Sequence, residues 1–267
     1  MAIHSPSVAP RVAPPIVVFD LDGTLADTAG DLIGTLNVIL ESEGLPPLPL
    51  RKARDLVGVG ARALLQRGCE EAGKELVPAR LDDLFQAFMV HYRDNICVRT
   101  KLYPGVEAAL ERLRQAGFLL AVCTNKFEDH SVRLIEALGV AHHFAANCGR
   151  DTFPVFKPDP RHLTLTIERA GGSPHRAVMV GDSRTDIVTA QAARIPSIAV
   201  PFGYTDVPVR RLNPDLVIGH FDELFDAVGT LVRLAAAAET AAHEIVKRIV
   251  RRKMVGATGI EPVTLRV

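Results

Sequence analysis

The sequence has no long apolar run, no excess of either charge and no cysteine spacing that suits a metal, and each absence removes a class of protein. Lysine plus arginine equals aspartate plus glutamate at 31 each. That balance leaves no broad basic field for nucleic acid and no acidic tail, although the C-terminal end carries a local basic patch. Cys69, Cys97, Cys123 and Cys148 never stand as C-x-x-C, and no histidine lies near two of them. A zinc site is therefore not expected, and buried thiols in a reducing compartment are. The opening MAIHSPSVAPRVAPP lacks a cationic start followed by a long apolar region, and the apolar run at 16–19 is too short for a signal or a span. The alanine-rich stretch 231–242 is interrupted by Glu239 and leads into charge. No internal repeat or long low-complexity segment is present. These features describe a soluble cytoplasmic protein with no transmembrane segment and no nucleic-acid partner.

What is present is enough apolar material for a substantial core. The chain has 267 residues, 48% of them hydrophobic, which suits one large domain or one domain with a smaller companion. IVVF at 16–19 is a short β-branched run of the kind found in a central strand covered on both faces. FLLAVC at 118–123, RAVMVG at 176–181, PSIAV at 196–200 and DLVIG at 215–219 are comparable. Helical patterns at about 105–116, 128–138, 159–170 and 186–193 alternate with these strands, which predicts a parallel sheet with helices on both faces. Residues 29–44, 50–73 and 78–95 break the rhythm, because all read as helical and none contains a strand. A crossover needs one helix, so the excess predicts an inserted helical domain. The expected division is a core of 1–25 and 99–230, a cap of 26–98, and a basic C-terminal helix with a tail at 231–267.

Ligands of open α/β sheets bind outside the carboxyl ends of the strands, and here those ends are chemically alike. The first strand is followed by Asp20, Asp22, Gly23 and Thr24, and the second by Thr124, Asn125 and Lys126. The third runs into Gly181, Asp182 and Ser183, with Asp186 beyond, and FKPDP supplies Lys157. Any one of these residues reads as an ordinary strand cap or turn. As a set they converge on one crevice if the strands are neighbours. Concentrated carboxylates repel and call for a cation, and an all-oxygen set without histidine or cysteine points to Mg²⁺. Lysine and Mg²⁺ together would seat a phosphate dianion. The Gly23 and Thr24 backbone N–H groups would donate to its oxygens. Nucleophile, metal, neutralising cation and hydroxyl clamp suit phosphoryl transfer.

FDLDGTLADT, VCTNK, KPDP and VGDSRTD, in that order, resemble the motifs of the haloacid dehalogenase superfamily, in its phosphatase branch. The resemblance covers about residues 16–225. It implies a Rossmann-like core with an all-helical cap and an Mg²⁺-dependent phosphoric monoester hydrolase. Asp20 would be the nucleophile that forms an aspartyl-phosphate. Asp22 would protonate the leaving oxygen, later activate water, and lend its backbone carbonyl to the metal. Thr124 and Asn125 would hold the phosphoryl group, and Lys157 would neutralise nucleophile and phosphate. Asp20 and Asp182 would ligate Mg²⁺, with Asp186 as a further ligand or support. The dehalogenating members lack the second aspartate, which Asp22 supplies here.

Substrate choice falls to the cap. RDLVGVGARALLQRG at 54–68 offers Gly58 and Gly60 at a helix start, with Arg54 or Arg62 as a counter-charge. This segment and Phe202-Gly203-Tyr204 resemble phosphoglycolate phosphatases, whose small phosphorylated metabolite carries one phosphate and one carboxylate. Hydrolysis of a sugar phosphate, glycerol phosphate or pyrophosphate is the alternative. A phosphosugar mutase or a non-catalytic binding module fits less well. Residues 23–28 and 97–103 cross between the two domains and are the expected hinges. Phe85, Phe88 and Met89 read as core or interface residues rather than ligands, and His91, His130, His142, His143 and His162 receive no role. Residues 235–253 form a cationic amphipathic pattern that suits docking on the core, assembly or a membrane surface. A homodimer remains open as the commonest assembly.

Overall fold

The computed structural model describes residues 13–53, 56–57, 60–205, 207–234 and 237. In chain order the regular elements are β1 (Ile16–Phe19), β2 (Ala26–Asp27), α1 (Ala29–Ser42), α2 (Leu50–Ala53), α3 (Ala61–Glu71) and α4 (Pro78–Asp94). They continue as β3 (Lys101–Leu102), α5 (Val106–Gln115), β4 (Leu119–Cys123), α6 (Glu128–Ala137), β5 (Ala146–Cys148) and α7 (Pro160–Arg169). The last are β6 (Ala177–Gly181), α8 (Arg184–Ala193), β7 (Ser197–Ala199) and β8 (Leu216–Val217). Six strands form one parallel sheet in the order β5-β4-β1-β6-β7-β8.

The sheet follows from the apolar runs. All four residues of β1 are fully buried, with Val17 and Phe19 on one face and Ile16 and Val18 on the other. Two covered faces require such a run, since neither side of the strand meets water. Because β4 and β6 flank β1 in parallel, the chain segments that follow all three strands emerge at the same sheet edge. The order runs outward from β1 to β4 on one side and to β6 on the other, so the segment after β1 lies at the switch point, where open sheets bind ligands.

Helices α1, α3 and α4 form the cap, packed through Leu36, Leu40, Leu64, Leu65 and Phe88. The chain enters and leaves it along β2 and β3. These pair antiparallel, with Ala26 opposite Leu102 and Asp27 opposite Lys101, and the Tyr103 N–H extends the ribbon to the Leu25 carbonyl at 3.0 Å. Asp31, in the first turn of α1, braces the return crossing. Its carboxylate accepts the N–H groups of Val98 (3.0 Å), Arg99 (2.9 Å) and Thr100 (2.9 Å), and the Thr100 hydroxyl (2.7 Å).

Two elements differ from the sequence reading. The segment 50–73, read as one helix, is split into α2 and α3, and α3 begins after Gly60 at φ +90°, a conformation that ends any helix running in from before it. The edge strand β5 is not among the strands expected from sequence, because its three residues, Ala146, Asn147 and Cys148, form no apolar run. Residues 224–234 are helical, and the cationic pattern expected at 235–253 lies almost wholly outside the described residues. Among the described residues no helix is long and apolar enough to cross a membrane.

Candidate active site

The strand ends and the cap border a cleft of about 850 Å³, counting the solvent in its open mouth. Asp20, Asp22, Thr124, Asn125, Lys157 and Asp182 all line it, so the residues singled out at the three strand ends do converge. Gly60 and Arg62 line it from the cap side, while Arg54 and Gly58 lie outside the described residues.

Asp20 follows β1 directly and is 8% exposed. Lys157 Nζ stands 3.0 Å from its Oδ1, yet that oxygen has no aligned hydrogen bond among the described residues. The lysine instead donates to Asp186 Oδ1 at 2.6 Å. Burial, opposed by Lys157 and reinforced by Asp186 and Asp22, pushes the Asp20 carboxyl up to about 6. Burial also pulls on the Lys157 ammonium, but the Asp186 and Asp20 carboxylates outweigh it and hold the lysine above its ordinary range.

Asp182 follows β6 directly and accepts the Thr24 hydroxyl at 2.7 Å and the Tyr204 N–H at 2.6 Å. Burial, with Asp186 and Asp20 adjacent, raises its carboxyl well above the usual range despite those donors. Gly23 and Gly203 press against this carboxylate. A Cβ on Gly23 would lie 2.5 Å from Asp182 Oδ2, and one on Gly203 would collide with the same oxygen. Both positions need a residue without a side chain so that Asp182 can reach the cluster.

Oxygens of Asp20, Asp182 and Asp186 lie within 4.8 Å of one another. Three buried carboxylates around one lysine leave unmatched negative charge, and the all-oxygen donor set fits Mg²⁺. Asp186 is the most committed of the three. Its Oδ2 accepts the N–H of Asp182 (3.2 Å) and of Ser183 (3.0 Å) and the Ser183 hydroxyl (2.7 Å), closing the capping box of α8. Its bonds therefore favour support of Lys157 and α8 over direct metal ligation.

The structure corrects the expected use of Gly23 and Thr24. The Gly23 N–H donates to the Ala26 carbonyl at 2.9 Å, and the Thr24 N–H turns back to Leu21 at 3.4 Å. Neither is open to a phosphate oxygen, because the tight turn consumes both. Thr24 contributes instead through its hydroxyl on Asp182. Thr124 is buried and its Oγ1 accepts the Lys126 N–H at 3.2 Å, while Asn125 Nδ2 donates to the Lys157 carbonyl at 2.9 Å and so ties two of the loops together.

Several residues were missed. Lys126 stands in the TNK motif but was given no role. Its Nζ donates to both oxygens of Asp22, at 3.0 and 3.1 Å, and lies 2.8 Å from the hydroxyl of Tyr92 on α4. Asp22 is thus turned away from the carboxylate cluster and held at the cap boundary. Tyr92 had no legible signal beyond helical spacing. His130, given no role, lines the cleft, with its ring 5.7 Å from that of Tyr92. Phe85 and Met89, read as core, line it too, and Arg150 joins them. His142 and His143 do not, and His143 is buried 3.7 Å from Glu111. Tyr204 links the core to the cap entrance, its hydroxyl donating to Asp27 at 2.6 Å and accepting the Ala29 N–H at 2.8 Å.

Residues 17–200 match the model of the haloacid dehalogenase-like hydrolase family. The chain belongs to that family. It falls among the phosphatases of these hydrolases that carry a cap. A phosphoglycolate phosphatase of Mesorhizobium japonicum is 53% identical over 79% of this chain and 92% of its own length. One from Caulobacter vibrioides is 44% identical over 84% and 94% respectively. The crystal structure of a predicted phosphoglycolate phosphatase from Haemophilus somnus superposes with a TM-score of 0.75 at 31% identity, covering 80% of this chain and 97% of that one. The fold, the carboxylate cluster and the motif order are those of an Mg²⁺-dependent phosphatase that acts through an aspartyl-phosphate.

Proposed function

We propose that the chain hydrolyses 2-phosphoglycolate to glycolate and phosphate. The observation that carries the reaction is a buried nucleophile beside a second carboxylate with a different environment. Asp20 has an oxygen without a hydrogen-bond donor among the described residues, next to Lys157, whereas Asp22 faces the same cleft on Lys126. Asp20 attacks phosphorus and the bond to the glycolate oxygen breaks. Asp22 delivers the proton that this oxygen needs, then removes one from the water that cleaves the acyl phosphate and frees Asp20. Lys157 balances charge between Asp20 and the phosphoryl group, and Thr124 and Asn125 border the place it occupies. Asp20, Asp182 and the Asp22 backbone carbonyl would hold Mg²⁺, with Asp186 bracing them. When bound, the metal supplies positive charge that lets one anion approach another.

The substrate reading draws support from the named relatives and from the lysine and arginine side chains, Lys126, Lys157, Arg62 and Arg150, that line the cleft beside the carboxylates. The working division keeps chemistry in residues 1–25 and 99–230 and substrate choice in the cap at 26–98. The crossings at 23–28 and 97–103 act as hinges. The four cysteines are free thiols, which supports a reducing compartment such as the cytoplasm. A closed homodimer is carried as the working assembly, to be checked by sedimentation.

The test compares kcat/KM for 2-phosphoglycolate with values for glycerol phosphates, hexose phosphates and pyrophosphate, with Mg²⁺ and with chelator. The expected result is metal-dependent turnover with 2-phosphoglycolate foremost. A higher value for any of the others overturns the substrate assignment.

A further inference from the structure

The cationic side chains lining the cleft are Lys157, Lys126, Arg62 and Arg150, and all but the last are matched by acid. Lys157 lies between Asp20 and Asp186. Lys126 grips Asp22. Arg62, one of the two cap arginines singled out from sequence, pairs with Asp82 at 2.5 Å. Arg150 has no carboxylate within ion-pair reach among the described residues. Its guanidinium carbon sits instead 4.7 Å from the ring centre of Phe156 and 5.3 Å from that of Phe127.

This position is built into the backbone. The Arg150 N–H donates to the Lys126 carbonyl at 2.9 Å, which fastens the residue to the TNK loop. Gly149 lies so close to the same loop that a Cβ there would collide with the Glu128 N–H. The adjacent Asp151 makes no ion pair with Arg150 among the described residues, and its Oδ1 accepts the Glu128 N–H at 2.8 Å at the start of α6. The chain therefore carries an arginine to the cleft, rests it on aromatic faces and supplies no acid to neutralise it.

A small ester with a charged leaving group brings two anionic ends. Its phosphate belongs with Lys157 and the carboxylate cluster. Its other end needs a cation that is not already committed. We propose that Arg150 is the specificity-determining residue that binds the carboxylate of the leaving group, an inference that rests on the 2-phosphoglycolate reading above. A guanidinium stacked on rings keeps its N–H edges free, and their fork matches a carboxylate in a bidentate pair. Holding the side chain on Phe127 and Phe156 also lowers the ordering cost on binding. Lysine cannot reproduce both features, since it is a point charge without a planar edge.

The experiment is steady-state kinetics with 2-phosphoglycolate and with 2-hydroxyethyl phosphate, which replaces the carboxylate by CH₂OH at similar length. Wild type, Arg150→Ala, Arg150→Lys and Arg62→Ala are compared. In wild type the acid is expected to be preferred. Arg150→Ala is expected to lower the acid-to-alcohol ratio of kcat/KM roughly 10- to 100-fold, the range of one charge-assisted contact, chiefly through KM. Arg150→Lys should recover only part of the ratio, and Arg62→Ala should move it far less. Turnover of the alcohol by each variant reports that it is folded. A preference that survives Arg150→Ala overturns the role of Arg150 and leaves the substrate assignment standing. A wild type with no preference for the acid overturns both.

Discussion

Asp31 in the cap and Asp20 in the core are both buried carboxylates at the junction of the two layers, and their surroundings are opposite. Asp31 accepts three backbone N–H groups and a hydroxyl, all within 3.0 Å. Asp20 has an oxygen with no hydrogen-bond partner among the described residues, beside a lysine whose bond goes elsewhere. The first has the donors that burial demands and serves as a strut. The second is left short of them and is kept reactive. Carboxylates under the same roof thus divide by donor count into structure and chemistry.

The largest effect comes from removing the reactive member. Asp20→Asn should lower turnover by at least roughly 10⁴-fold, the scale seen when a nucleophile is lost. Because its carboxyl is pushed up to about 6, the folded state holds an unfavourable anion above that pH, and the neutral amide removes it. The variant should therefore melt higher than wild type at pH 7.5 in chelator. A lower melting temperature would erase the distinction between the two aspartates.

Asp31→Ala should do the reverse. Stranding the N–H groups of residues 98–100 should cost about 3 kcal/mol of stability by urea unfolding, at ~1–3 kcal/mol for each unsatisfied group, with a smaller loss of turnover. Equal losses from the two substitutions in both assays would count against the division.

His162 extends the rule to a base. It is fully buried, with Nε2 3.0 Å from the Gly149 carbonyl and Nδ1 3.5 Å from Cys123 Sγ, and burial, aided by Lys157, pushes its pKa down to about 4. The unfolded chain takes up the proton near pH 6.5, so it binds more protons than the folded chain between the two values. The contribution of His162 is intact above about 6.5 and falls away as pH drops toward 4. Melting curves across that window should show a shallower acid loss for His162→Phe than for wild type.

The smallest effect concerns the tie between layers. Tyr92→Phe removes the contact with Lys126 at 2.8 Å and should cost about 1 kcal/mol, with kcat/KM reduced less than about tenfold. A collapse of activity comparable to that of Asp20→Asn would make Tyr92 part of the chemistry instead of a brace on Lys126.

The chemistry was legible in the sequence because strand ends at a sheet switch point can use only a few residue types, and FDLDGTL, TNK, KPDP and GDSRTD supply them in order. The β-branched runs made the core strands equally plain. Legibility failed where a role depends on partners distant in the chain. Asp31 reads as an ordinary acid in a first helical turn, and its donors lie 67–69 residues away. Tyr92 carries the spacing of a core residue, and only the folded chain brings it to Lys126. Arg150 follows a three-residue edge strand that has no apolar run to announce it, so neither the strand nor its cation could be read. Gly23 and Thr24 were assigned to the right place with the wrong atoms, because a motif specifies residues and leaves their hydrogen bonds to the turn.

The pairing of β2 with β3 has a kinematic meaning. Two separate tethers would leave the cap free to slide, twist and tilt over the sheet. Joined as one ribbon, and stiffened by Asp31 against residues 98–100, the hinges proposed above would act as a single axle. The cap would then keep one rotation, and the gap at the mouth of the cleft would become a function of one angle. An enzyme with one such coordinate opens and shuts along the same path every time, so the groups on α4 return to the same place on the core at each closure.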